Sequence, residues 1–196
     1  MPWEKSFDIE EAVDQAAKLF GAKGYEATSL ADLLAAMGIN KGSFYNAFGS
    51  KRGLFIRSLL KHQLDVEKAA RERISEVDDP VRAITTLFEV MIAEGDPDKS
   101  GNGNFMVNTA LDLPNHDEET VKTVKRGFSL IQNFFMMQIE LGQKSGVIPS
   151  SVKGDVTSRS LLALLVGQCV LSRGVFDQDE RLLSGQQVLK LLEVKP

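Results

Sequence analysis

One cysteine, two histidines and one tryptophan are all that this chain of 196 residues holds of those types. A lone Cys169 excludes an internal disulfide framework and fits a reducing compartment. His62 and His116 have no cysteine or carboxylate neighbours at metal-ligand spacing, and the chain has neither a P-loop nor a Gly-rich dinucleotide fingerprint, so no metal or cofactor is expected. Cys169 lies in an apolar stretch, where a cysteine acts as a small hydrophobe rather than a nucleophile. His62 is expected to be solvated on a helix and His116 to belong to a turn. These absences argue against an enzyme. The opening Met-Pro-Trp-Glu-Lys-Ser-Phe-Asp has no apolar h-region, and no uncharged apolar run reaches the roughly 18 residues of a membrane span, which leads to the expectation of a cytoplasmic protein.

A more local absence carries more information. The chain as a whole is acidic, with a formal net charge of -4, yet from Leu33 to Leu64 it contains no Asp or Glu while holding Lys41, Lys51, Arg52, Arg57 and Lys61. A surface that tracks phosphates needs positive potential of this local kind rather than a basic whole protein. For Arg57 and Lys61 a solvated helix face is an equal alternative.

The acid-free tract also carries sharp helix punctuation. Ser29 with Asp32 three residues on is a capping box, so a helix starts near Leu30 and presents Leu30, Leu33, Leu34 and Met37 on one face. Gly38 supplies the turn, Ile39 plugs the corner, and Asn40 caps a helix from Lys41 to about Phe48 with Phe44 and Phe48 inward. Lys41, Ser43, Tyr45 and Asn46 are expected to face outward. Ser50 caps the next helix, whose first residue, Lys51, carries the wrong charge for the helix dipole and so a reason to seek phosphate. Two short helices joined by a glycine turn and followed at once by a third make a helix-turn-helix.

This segment resembles the DNA-binding domain of the TetR (tetracycline-repressor-like) family. The matching residues are Thr28, Asp32, Leu33, Gly38, Ile39, Asn40, Lys41, Gly42, Ser43, Tyr45, Phe48, Ser50, Lys51 and Leu54, over roughly residues 6 to 56. Leu34 and Met37 stand where the family usually has small residues, and Asn46 where it often has an aromatic or His. The resemblance implies a homodimeric, ligand-responsive transcriptional regulator, most often a repressor, that reads two half-sites of a palindromic operator on double-stranded DNA. A constitutive DNA-binding protein that senses nothing is the alternative, and an enzyme using a helical cavity a weaker one. Lys41, Ser43 and Asn46 are candidates for base-edge contacts. Thr28, Ser29, Tyr45 and Lys51 are candidates for phosphates, Asn40 belongs to the same DNA-binding set, and Gly42 permits close backbone approach.

The rest of the chain reads as helices. A first helix, Asp8 to Ala22, turns Ile9, Ala12, Val13, Ala16 and Phe20 inward and props up the recognition pair. The fourth runs from Lys51 into the stretch Glu67 to Glu76; Pro80 opens a fifth with Ile84, Leu87, Phe88, Met91 and Ile92. Gly95 to Gly103 is a polar loop, 104–112 a short helix, and Asp117 to Lys144 a long helix expected to lie centrally, with one stripe of Val121, Val124, Phe128, Ile131 and Phe135 and another of Leu130, Phe134, Met137 and Leu141. Helices over about Gly154 to Gly174 and Asp179 to Val194 complete an all-α chain. The expected division is residues 1–56, a helix-turn-helix DNA-binding domain with its recognition helix at about 40–48, and residues 57–196, a helical effector-binding and dimerisation domain.

Two sets of residues in that second part carry expectations. Phe88, Met91, Phe105, Met106, Phe134, Met137 and Gln138 are candidates to line a pocket for a small-molecule effector, since soft apolar side chains with few polar groups suit one. Leu161, Leu164, Leu165, Gln168 and Leu171 form an apolar face wider than one neighbouring helix needs, which in a TetR-like chain implies a four-helix dimer interface; burial in the monomer's own core is the bland alternative. The family often has Cys directly after the glycine at position 103, and Asn104 stands there, so thiol-based sensing at that site is not supported.

Overall fold

The structure, a computed structural model, describes residues 7–75, 78–93 and 103–195, without the side chains of 178, 179 and 181–184. Among the described residues it is all-helical. The expected loop 95–103 falls, but for Gly103, outside the described residues.

Local signals start and stop the first helices. The Asp8 carboxylate accepts from the N–H groups of Glu10 and Glu11 to open α1 (Ile9–Lys23). Both halves of the Ser29–Asp32 capping box are formed at the start of α2 (Leu30–Met37). Gly38 then sits at φ 65° and ψ 30°, a left-handed geometry that costs glycine least. The Asn40 side chain accepts from the Ser43 N–H to open α3 (Lys41–Phe48), and Ser50 caps α4 (Lys51–Ile74) through the Gly53 N–H. α4 is unbroken at residue 56, so the two halves of the chain share one rod.

Beyond it come α5 (Pro80–Ala93), α6 (Phe105–Leu111), a single 3-10 turn Leu113–Asn115, α7 (Glu118–Ser145), α8 (Gly154–Leu171) and α9 (Gln178–Leu191). Two cores result. One packs Val13, Phe20, Leu33, Phe44, Leu54 and Phe55 of α1–α4. The other packs Ile84, Phe88, Phe135, Ile139, Leu161 and Leu165 of α5, α7 and α8. Phe105 and Met106 of α6 belong to the first core, although the chain places them with the second half.

Several expectations change in three dimensions. α7 buries Val124, Phe135 and Ile139, but its second stripe stays half exposed, with Leu130 43%, Met137 49% and Leu141 44% accessible; Leu130, Phe134 and Met137 face an open groove between α7 and α4. On α8, Leu161, Leu165 and Gln168 are buried within the chain's own core. They lie on one helical face turned toward α5 and α7, so these three are core residues and not an exposed partner surface. Leu164 and Leu171 remain partly exposed, and the outward face is instead Val156, Ala163 and the open space above Gly167.

Candidate nucleic-acid interface and cavity

α3 presents Lys41, Gly42, Tyr45 and Asn46 to solvent on one side, held there by Phe44 and Phe48, which are buried on the other. Ser43, expected outward, is buried: it follows the N-cap by three residues and its N–H donates to Asn40 Oδ1 at 2.9 Å. Asn40 therefore serves the helix start. A Cβ on Gly42 would approach that same oxygen to 3.3 Å, so the glycine keeps the cap uncrowded as well as leaving the backbone bare. Thr28 is fully buried with its hydroxyl donating to the Gly24 carbonyl at 2.6 Å, which takes its side chain out of the phosphate set. Ser29 is exposed, and its hydroxyl accepts from the Asp32 N–H at 3.1 Å.

Electrostatics separate the five cations of the acid-free tract. Arg57 pairs with Glu10 at 2.8 Å, Lys61 with Asp14 at 3.0 Å and with Asp65 at 2.7 Å, and Arg52 with Asp117 at 3.0 Å. The bonds to Asp65 and Asp14 raise the Lys61 pKa, which marks it as an engaged ion-pair member. Lys41 and Lys51 have no carboxylate partner among the described residues. Lys51 instead stands 4.3 Å above the Tyr25 ring centroid, a contact that leaves the ammonium's donors available. The cationic face is thus smaller than the sequence suggests, and it coincides with the exposed side of α3 and the start of α4.

A second site lies between α4 and α7. A cavity of about 470 Å³ opens there, within the size range of drug-like ligand pockets. Met91, Met106, Phe134, Met137 and Gln138 of the expected set line it. Phe88 and Phe105 do not: Phe88 packs on Phe135 at 5.7 Å, and Phe105 sits between Phe20, Phe55 and His62. Sequence reasoning missed the contribution of α4, whose His62, Gln63, Val66, Glu67, Ala70 and Arg71 form the facing wall. Their i, i+4 and i+8 spacing placed them on one face, but their mixed polarity gave no pocket signal.

His62, expected in solvent, is turned into this wall. Burial lowers its pKa to about 4, against the opposing pull of Asp65 and a hydrogen bond with Asn104, so the imidazole is neutral at pH 7. Asn104 also caps α6 by accepting from the Val107 N–H at 3.0 Å. His116 is in a turn as expected, but it docks against the first core, its ring 5.3 Å from Phe55 and 11° from parallel. Asn108 completes the junction: it donates to the Gly21 carbonyl at 3.2 Å and accepts from Arg173 at 3.1 Å.

No helix among the described residues is long and apolar enough to cross a membrane. A sequence profile described as "Bacterial regulatory proteins, tetR family" matches residues 12–57. The HTH-type transcriptional repressor ComR of Escherichia coli (strain K12) is 29% identical over 86% of this chain and 81% of its own length. An uncharacterized HTH-type transcriptional regulator of Bacillus subtilis (strain 168), YezE, is also 29% identical, over 86% and 84%. Among solved structures, the TetR family regulator CifR, complexed with a 26-bp operator duplex, superposes with a TM-score of 0.81 at 23% identity, covering 99% of this chain and all of that one. The profile falls on the helix-turn-helix, while the relatives and the fold extend over nearly the whole length: residues 12–57 are a helix-turn-helix of the tetR family of bacterial regulatory proteins, in a chain with the fold of the solved TetR regulators.

Proposed function

We propose that this protein is a homodimeric, ligand-responsive repressor that leaves a palindromic operator when a small molecule fills the cavity between α4 and α7. The observation that carries the reading is the position of Met106, which lines the cavity and at the same time belongs to the core of α1–α4. A ligand that displaces Met106 acts on α6, and α6 is tied to α1 through Phe105 and through the Asn108 bond to Gly21. By this route it favours a head placement unsuited to the operator and shifts the population off DNA. Residues 1–56 then serve DNA binding and 57–196 effector binding and dimerisation, with α4 as their common rod. In the major groove Lys41 and Asn46 meet base edges, while Tyr45, Lys51 and Ser29 meet phosphates. The reading gives the chain no catalytic role and places it in the cytoplasm.

The outward face of α8, together with α9, is the assigned dimer surface. Gly167 is the residue that tests it, because nothing lies within 4 Å of a Cβ built there. In a monomer Gly167→Arg improves helix propensity by about 0.5–1 kcal/mol. In a dimer it places an unpaired cation at the contact. Light scattering should show the wild type as a dimer and the variant as a folded monomer with weak operator binding. A variant that stays dimeric refutes the surface.

For the regulator itself, selection from a random DNA library should return a palindrome, and a metabolite screen should return a compound that releases the protein from it. A palindrome without any releasing compound would instead identify a constitutive DNA-binding protein.

A further inference from the structure

Gln138 is a buried side chain aimed at an apolar cavity, and its amide is uncommitted. It lines the space between α4 and α7 with 8% of its surface accessible, and its side chain makes no hydrogen bond among the described residues. Asn104 and His62, the other buried polar groups on the wall, are bonded to each other, and Asn104 also accepts from the Val107 N–H. The remaining buried lining is Ala70, Leu87, Met91, Met106 and Gly127. An amide offers one acceptor and two N–H donors, and in a buried site these groups need partners. Water or a ligand supplies them here.

The charges of the wall are few and already balanced. Glu67 and Arg71, one turn apart on α4, are of opposite sign; Glu67 accepts from Gln63 at 2.8 Å, and Arg71 is exposed at the solvent edge. His62 is neutral at pH 7, because burial has lowered its pKa to about 4. Among the described residues of the wall, no buried cation waits for a carboxylate or phosphate, and no buried carboxylate waits for an amine. Burying an unpaired ion is far costlier than burying a hydrogen-bonded neutral group. Three methionines and Phe134 favour a planar or aromatic body, since thioethers pack well against rings and adapt to their outline.

We propose that the effector is an uncharged, predominantly apolar or aromatic molecule carrying a carbonyl, amide or hydroxyl group, and that Gln138 is the residue that recognises that group. The inference rests on the reading of this cavity as the effector site, and its test separates the two. Nile red, a neutral dye with a carbonyl, serves as the reporter in the full-length protein. Its fluorescence should rise on binding, and Met137→Trp, which narrows the half-exposed rim, should weaken it. If Met137→Trp leaves dye binding unchanged, the cavity is not the binding site, and the effector reading fails with the proposal.

Where the dye does occupy the cavity, competition decides the chemistry. 2-Naphthamide should displace it at a concentration about tenfold below that needed for 2-naphthoate or for 2-naphthylmethylammonium, the uncharged member of the set avoiding ion desolvation. Gln138→Met, close in volume, should raise the amide's requirement about three- to tenfold, the range of one net hydrogen bond, and leave 2-methylnaphthalene unchanged. Gln138→Lys supplies the missing cation and should turn the preference toward the naphthoate. Equal competition by either ion in the wild type would overturn the neutral class. An unchanged amide requirement in Gln138→Met, with no reversal in Gln138→Lys, would remove Gln138 as the recognising residue.

Discussion

The DNA-facing head and the helical body differ in one helix start, that of α8. In the head, each of the four helix starts is closed by its own side chain, Asp8, Ser29, Asn40 or Ser50, within three residues of the bond it makes. In the body Asn104, Asp117 and Asp177 close α6, α7 and α9 in the same way, but α8 opens on Lys153 with no side-chain cap, and its position comes from packing against α7, α5 and α9. Specification by local rules suits a surface that must present Lys41, Tyr45 and Asn46 in one fixed geometry. A helix such as α8, placed by packing rather than by a cap, suits a region that must admit a ligand and change shape around it.

The largest expected effect comes from breaking the place where the two regions meet. Phe105 belongs by sequence to the body and by packing to the head, with its ring 5.4 Å from Phe55 and 6.4 Å from Phe20. Phe105→Ala should cost about 3–5 kcal/mol in stability, as buried Phe truncations do. Thermal and denaturant unfolding check this. If the regions were independent, the loss would be confined to one of two separate transitions; a single shifted transition shows that they unfold together.

Next in size are two substitutions on the head's exposed face that should behave differently from each other. Asn46→Ala removes a side chain able to pair with adenine and should cost about 1–3 kcal/mol at one base position per half-site, relaxing the selected motif there. Lys51→Ala should weaken binding to every sequence and reduce the salt slope by about 0.9 per subunit contact. Affinities measured on a base-substituted operator series at several salt concentrations resolve the two. An unchanged motif in the first variant or an unchanged slope in the second would reassign that residue.

The same contrast explains what the sequence made legible. The capping box at Ser29, the turn at Gly38 and the cap at Asn40 are interactions within a few residues, so one-dimensional patterns report them, and the all-α fold followed. The cationic face was overdrawn because its partners come from far away: Glu10 and Asp14 of α1 and Asp117 before α7 take up Arg57, Lys61 and Arg52. Absence of acids along the chain is not absence of acids in space. Thr28 and Ser43 read as polar and therefore exposed, yet both are buried: the Thr28 hydroxyl donates to the Gly24 carbonyl, and the Ser43 N–H donates to Asn40 Oδ1. In the body, hydrophobic periodicity located the helices but did not distinguish which apolar face meets the core, the cavity or the outside. Leu165 and Met137 look alike in sequence, and only the former is buried.

A smaller pair of effects measures the capping difference directly. Ser29→Ala removes one half of a complete capping box and should cost about 1 kcal/mol. Lys153→Ser gives α8 the side-chain cap it lacks, at a residue whose φ of -85° already suits one, and should add about 0.5–1 kcal/mol. Chemical denaturation of both variants tests this. A loss of similar size at Lys153 would mean that the lysine makes a contribution of its own to the start of α8.

The finest test compares two carboxylates, one from each region, both held below the usual carboxylate value of 3.8. For Asp32 of the head the main cause is the Ser29 N–H, assisted by the Ser29 hydroxyl and Lys23. For Asp117 burial pushes upward, and the bonds from Thr120 together with the charge of Arg52 outweigh it. A carboxylate with a lowered folded-state pKa adds stability that is fully present above its unfolded value and is lost as the pH falls through the folded one, so both contributions disappear below about pH 3.8. Arg52→Ala removes one of the downward pulls on Asp117 and should move its titration upward, leaving Asp32 where it is because the Ser29 box is intact. Carboxyl-detected NMR titration reads both residues in one experiment. If Asp117 does not move, the link from the start of α4 to the start of α7 is not formed in solution; if Asp32 moves with it, the head's caps are not local after all, and the contrast between the two regions fails at its most direct point.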